Sequence, residues 1–253
     1  MNIFQFEYLV IAWIGVAIFL LPLLFRITAP YGRHSKTSWG PMIPNRLGWI
    51  LMELPSLLLF AYLFLTGTNE PTQVTWVFFG CWVVHYINRS LIFPLRTRTT
   101  GKKMPFIIML LAIFFNLANA GINGYYLGFH PEAIYPESWL TNPYFLIGIS
   151  VFLIGFFINQ QSDHILLNLR KPGETGYKIP HGEMFRFISC PNHFGEMVEW
   201  IGFALMTCSL AGLSFAIWTA ANLLPRALDH HKWYLKRFEE YPKERKAVIP
   251  FIL

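Results

Sequence analysis

Long apolar runs constrain this chain more than any other feature it has. They fall at about 3–25, 47–66, 74–94, 104–121 and 143–159. Each is close to the roughly 20 residues that a helix needs to cross lipid. A sixth apolar region, about 194–226, is too long for one comfortable crossing and short for two. Composition points the same way: the 253 residues are 54% hydrophobic and 13% charged, against roughly 25% charged in soluble domains. No ordinary core hides that much apolar surface, so lipid is the expected solvent. The run at 3–25 has no basic leader and no small-residue cleavage site, so it reads as a first membrane helix rather than a removed signal peptide.

The basic residues resolve the sixth region. Seven of the 20 Lys and Arg residues follow it (Arg226, Lys232, Lys236, Arg237, Lys243, Arg245 and Lys246). A single crossing would leave them outside, against the preference of basic loops for the inner side. A tight hairpin near Leu210–Gly212 returns them. The expected fold is therefore an all-α bundle of seven transmembrane helices, with the N-terminus outside and the C-terminus cytosolic. Its spans are 3–25, 47–66, 74–94, 104–121, 143–159, 194–210 and 212–226, in one integral membrane domain of residues 1–253. The outer segments then hold only acids: Glu7, Glu70, Glu132 and Glu137. In this topology the formal charge of +6 is an insertion signal, and no nucleic-acid partner is expected. Cys81, Cys190 and Cys208 form no disulfide or zinc pattern. His230 and His231 are adjacent and point apart on a helix, so no metal is expected. There is no G-x-G-x-x-G, no P-loop and no H-E-x-x-H.

Polar residues at membrane depth are costly and are candidates for function. Glu53 lies inside the second span. Burial favours its neutral acid, which can donate a hydrogen bond to a substrate oxygen. The plainer reading is a hydrogen bond between helices or an acid near the membrane surface. In the third span His85, Tyr86 and Arg89 fall within one turn, with His85 and Arg89 on one face. Tyr86 can donate to an oxygen gaining charge, or serve only as an interfacial aromatic; Arg89 can meet a phosphate. Asn116, Asn119 and Asn123 align on one face of the fourth span, either as a packed polar seam or as the border of a ligand cavity.

The most polar stretch, 159–200, lies between two such apolar regions. It holds Asn159, Asp163, Arg170, Tyr177, Asn192, Glu196 and Glu199. With Arg226, Tyr234 and Arg245 it makes an inventory suited to a nucleotide. Arginines meet phosphates, bidentately where geometry allows. Asn159, Asp163 and Asn192 can read hydroxyls or an amide, and Tyr177 and Tyr234 offer flat faces for a base. Pro172-Gly173 marks a turn. Each basic residue alone is explained as well by a lipid headgroup or by topology. The mixture of acids, amides, aromatics and arginines is not, because topology needs only positive charge.

These residues also carry a resemblance. The run SDHILLNLRKPGETGYKIPHGEMFRFISCPNHFGEMVEWIGFAL and the tail RALDHHKWYLKRFEEYPKERKAVIPFIL resemble the C-terminal region of steroid 5α-reductases. LMELPS and HYINRS resemble the same family, so the match runs from about residue 40 onwards. The family implies a seven-helix membrane enzyme that uses NADPH to reduce the Δ4 double bond of a 3-oxo-Δ4-steroid. It implies Glu53 and Tyr86 as the pair that hydrogen-bonds the ketone oxygen. It implies Asn159, Asp163, Arg170, Asn192, Glu196, Arg226, Tyr234 and Arg245 as NADPH ligands, with Tyr177 and Arg89 as additions. The steroid would enter sideways from lipid, in a bacterial inner membrane or endoplasmic reticulum, with the cofactor site facing the cytosol. Met52 departs from the family, where Gln precedes the glutamate. Rival readings are a reductase of an enoyl thioester or polyprenol, a membrane methyltransferase and a sterol transporter. A methyltransferase has no use for a phosphate-binding arginine set, and a transporter needs no acid–tyrosine pair beside a nucleotide site.

Overall fold

A computed structural model describes residues 2–30, 32–97, 101–171, 174 and 176–253; the Pro172-Gly173 turn lies outside them. The described chain is mostly helix. Helix α1 spans Ile3–Arg26, α2 spans Asn45–Leu65, and α3 spans Gln73–Ile87. α3 runs on through a π-helical turn, Asn88–Ile92, into the short α4, Phe93–Arg96. Then come α5, Phe106–Phe129; α6, Pro143–Asn168; α7, Pro191–Thr207; and α8, Leu210–Arg237. Two short strands, β1 (Met42–Pro44) and β2 (Lys103–Pro105), pair antiparallel with Ile43 opposite Met104. They tie together the starts of α2 and α5. Among the described residues, α1, α2, α5 and α6 are long and apolar enough to cross a membrane.

Local chemistry sets the helix ends. Asn2 and Gln5 make a reciprocal cap on α1, and Thr72 and Thr75 do the same on α3, satisfying N–H groups the first turn leaves unpaired. Pro143 and Pro191 open α6 and α7 at positions where a missing N–H costs nothing. The α7–α8 hairpin turns at Cys208–Ser209, slightly before the expected Leu210–Gly212. Cys208 adopts a left-handed backbone, φ 46°, and Ser209 caps α8 by accepting from the Gly212 N–H at 3.0 Å. Three helices outrun the apolar stretches that predicted them: α5 by eight residues, α6 by nine and α8 by eleven. Hydropathy registers only the lipid-facing part of a helix. The polar continuations are buried against protein, as at Asn123, Asp163 and Tyr234.

The apolar surface faces outward as well as inward. Phe4, Phe19, Phe114 and Phe157 are exposed, as suits helices in lipid. Inside, an aromatic core joins α2, α3, α7 and α8. Phe60 stacks on Trp82 with centroids 4.4 Å apart, and Trp200 lies 5.2 Å from Trp82 and 4.4 Å from Phe215. α6 and α7 approach most closely through glycines seven residues apart, Gly148 and Gly155 on one helix and Gly195 and Gly202 on the other. A Cβ at Gly155 would fall on the backbone of Gly195 and Glu199, and one at Gly202 on the backbone of Phe152. Small residues let helices in lipid approach backbone to backbone. The crossing brings Asn159 and Asp163 of α6 against the first turns of α7.

The basic connecting segments gather at one end. Arg46 donates to the Thr97 carbonyl, Lys102 lies over Tyr177, and Arg33 lies over Tyr177 and Trp233. The C-terminal tail lies against the start of α7: the Ser189 N–H donates to the Lys246 carbonyl at 2.8 Å and that of Cys190 to Ala247 at 3.0 Å. At the other end, Asn69 donates to the Leu127 and His130 carbonyls, and Tyr135 to Thr207.

Candidate functional site

Arg89 sits in the π-helical turn, a distortion often found at functional positions. The Trp49 indole lies beneath its guanidinium at 4.9 Å and donates to the Arg89 carbonyl at 3.1 Å. Three carboxyls face that guanidinium: Glu196 at 3.5 Å, Glu53 at 3.8 Å and Asp163 at 4.0 Å. The Asn116 amide of α5 holds Glu53, donating to its Oε2 at 3.1 Å and to the Met52 carbonyl at 2.6 Å. Asp163 Oδ1 accepts from Asn192 at 3.3 Å, and the Asn192 carbonyl accepts from Asn159 at 3.0 Å. Four helical segments thus bring Glu53, Arg89, Asn159, Asp163, Asn192 and Glu196 into one cluster, braced by Asn116 of α5. Sequence separations of up to 107 residues, from Arg89 to Glu196, become direct contacts.

Tyr86 is buried beside this cluster, with its ring 5.1 Å from Trp82 and 4.9 Å from His85. On α7, Glu199 Oε1 lies 2.7 Å from His85 Nδ1. His85 and Arg89 therefore both reach α7, where Glu199 and Glu196 occupy one face. Of the asparagine row, Asn116 borders the cluster, whereas Asn119 and Asn123 form a packed seam: Asn119 accepts from the Trp13 indole at 3.1 Å, and Asn123 donates to the Asn119 carbonyl at 3.0 Å.

The remaining expected residues lie at the basic end. Arg170 donates to the Gly176 carbonyl at 3.1 Å and lies over Tyr177. Tyr177 is partly exposed and meets Trp233 edge-on at 4.9 Å. Tyr234 is buried and stacks on Tyr241 at 5.0 Å. Arg245 is buried under the Pro180 carbonyl, to which it donates at 3.0 Å, and contacts His181 at 3.3 Å. Arg226 lines a small cleft with His34, Asp229 and His230. One participant escapes sequence reasoning: Arg33, whose guanidinium lies 4.5 Å from the Tyr234 ring and 4.8 Å from that of Trp233. In the sequence it is one basic residue of a loop, indistinguishable from a topology signal. Trp49 and the His85–Glu199 contact likewise depend on partners far along the chain.

Several buried polar atoms have no hydrogen-bond partner among the described residues: Arg33 Nη1, Asp163 Oδ2, His193 Nδ1 and Arg245 Nε. Such atoms are costly unless something satisfies them. Donors and acceptors of this kind, beside arginines and amides, fit a ligand rich in phosphates and hydroxyls. A separate apolar hollow of about 560 Å³ opens between α1 and α5, lined by Phe6, Leu9, Trp13, Leu63, Phe114 and Tyr125 among others.

Residues 102–253 match the model of the family described as 3-oxo-5-alpha-steroid 4-dehydrogenase. The chain belongs to this family. It is 44% identical over 229 residues to the rat protein named 3-oxo-5-alpha-steroid 4-dehydrogenase 1, covering 90% of this chain and 87% of that one. The bovine protein of the same name is 44% identical, covering 95% and 93%. Steroid 5-alpha-reductase DET2 of Arabidopsis thaliana is 42% identical, covering 91% and 90%. Membership places the chain among oxidoreductases acting on CH–CH bonds.

Proposed function

We propose that this chain reduces the Δ4 double bond of a 3-oxo-Δ4-steroid to the 5α-3-oxosteroid, with NADPH as reductant. The observation that carries the reading is the single cluster in which Glu53, next to Tyr86, is continuous through Arg89 with Asp163, Asn192, Asn159 and Glu196. A ketone-binding pair and a nucleotide-binding set would have to adjoin for such a reaction. When bound, NADPH would supply hydride to the enone β-carbon; negative charge would develop on the ketone oxygen, and a proton taken up at the α-carbon would complete the saturated ketone. Glu53, as the neutral acid, and Tyr86 donate hydrogen bonds to that oxygen, stabilising charge where it forms. Asn116 holds the Glu53 carboxyl on α2, and the aromatic core fixes Tyr86. Arg170, Arg226 and Arg245 meet phosphates; Asn159, Asp163, Asn192 and Glu196 hold hydroxyl and amide groups; Tyr177 and Tyr234 border the base; Arg89 balances the surrounding acids.

The seven long helices cross the membrane as a single integral domain, with the N-terminus outside and the C-terminus cytosolic. The basic end, and with it the cofactor site, then faces the cytosol of a bacterium or the cytosolic side of the endoplasmic reticulum. The apolar α1–α5 hollow suits entry of the steroid from lipid. The decisive experiment follows NADPH oxidation by purified protein against a panel of enones. Oxidation is expected with progesterone or testosterone and to be absent without steroid. Turnover of an enoyl thioester but of neither steroid rejects the assignment.

A further inference from the structure

His85 and Glu199 form a contact that the reaction above leaves unassigned. The side chains are 4% and 0% exposed, and the 2.7 Å contact joins α3 to α7. Glu199 Oε2 is buried and has no hydrogen-bond partner among the described residues. Losing either member alone would leave an orphaned polar group in apolar surroundings, so the imidazole is committed to one orientation. That orientation places its ring edge-on to Tyr86 at 4.9 Å and to Trp200 at 4.7 Å, with Tyr86 and Trp200 themselves 6.1 Å apart. The three rings make a closed triangle. Glu199 in turn is anchored where α7 crosses α6, its backbone against Gly155. Stability alone does not call for this pair, since well-packed apolar residues of similar size commonly serve as well or better in place of buried polar partners. What the polar contact adds is direction.

We infer that the His85–Glu199 pair is a positioning device for Tyr86, holding the imidazole so that the tyrosine hydroxyl points at the substrate oxygen. The inference rests on Tyr86 being an oxygen donor. Its test uses the full-length enzyme and three readouts: kcat, melting temperature and NADPH affinity by fluorescence. H85F and E199L each orphan a partner and should lower both kcat and melting temperature. The double variant H85F/E199L removes both polar groups and should regain the melting temperature. Its kcat should stay down by about 10-fold or more, because misplaced catalytic groups lose rate steeply. Recovery of kcat together with the melting temperature overturns the inference. E199Q keeps an acceptor for the imidazole and should retain kcat within about threefold, an effect too small to signal lost transition-state binding; a loss equal to that of E199L overturns it too. H85N retains a donor toward Glu199 and provides a gentler cycle with Y86F. The H85N loss should vanish in the Y86F background, and an undiminished loss there counts against positioning. Full kcat in Y86F would instead reject the donor role itself. A Y86F deficit with a fully active H85F/E199L would reject positioning alone.

Discussion

Glu53 shows how a residue's neighbours change its meaning. In the sequence it is a lone acid in an apolar run, equally consistent with a helix–helix contact. In the structure it does make such a contact, through Asn116, and it also faces Arg89 at 3.8 Å. The amide that holds the carboxyl would also aim it for the proposed donor role. Tyr86 is similar: buried in the aromatic core, it is placed by packing rather than by hydrogen bonds in its own helix. Glu53→Leu and Tyr86→Phe should therefore each reduce kcat by about 10²–10³-fold, the usual cost of removing one donor to a developing oxyanion. NADPH affinity, measured by fluorescence, should hold. Full kcat in either variant removes that residue from the donor pair.

The α6–α7 crossing is the element on which the site depends. Its glycines permit backbone contact, and that contact puts Asp163 within reach of Asn192 and sets Glu196 and Glu199 opposite α3. Spacing in the sequence shows Gly148 and Gly155 on one face of a helix, but not that Gly195 and Gly202 are their partners. Gly155→Ala would place a methyl carbon 2.6 Å from the Gly195 carbonyl and 2.7 Å from the Glu199 Cα. The helices must separate, at a cost of about 1–3 kcal/mol, as is usual for overpacking. We expect a lower melting temperature in detergent together with lower NADPH affinity. Wild-type values of both would show that the crossing tolerates the methyl group. The π-helical turn in the third helix is a second such device, and nothing in HYINRS as local propensity announces it.

For the whole molecule, charge and hydropathy act together. The basic segments meet at one end, where Arg33, Tyr177, Trp233 and Arg245 close around the loop after α6 and the tail. Insertion with that end inward, as proposed, would account for the sorted charges. With the three native cysteines replaced, Glu132→Cys should react with an impermeant thiol reagent added outside intact cells or right-side-out vesicles. Lys178→Cys should react only once the membrane is opened. Both residues are exposed, so access reports topology, and the reverse labelling pattern would invert the proposed orientation.

Helical class and the candidate list needed only the order of residues. Apolar runs near the length of a lipid crossing exclude most soluble architectures, and an unusual set of motifs in one order points to a family. Helix ends were less accessible, because α5, α6 and α8 continue where their exposed face turns from lipid to protein. The geometry of the site came from packing alone. A 3.6-residue period assigns Glu53, Arg89, Asp163 and Glu196 to faces of four separate helical segments, but says nothing of which faces meet. Close approach of glycine backbones, a π-helical turn and an aromatic core make that choice, and they gather three acids around one arginine. The caged Arg33 and the His85–Glu199 contact belong to the same category: each is defined by a partner more than 100 residues away in sequence, a separation at which local patterns carry no information.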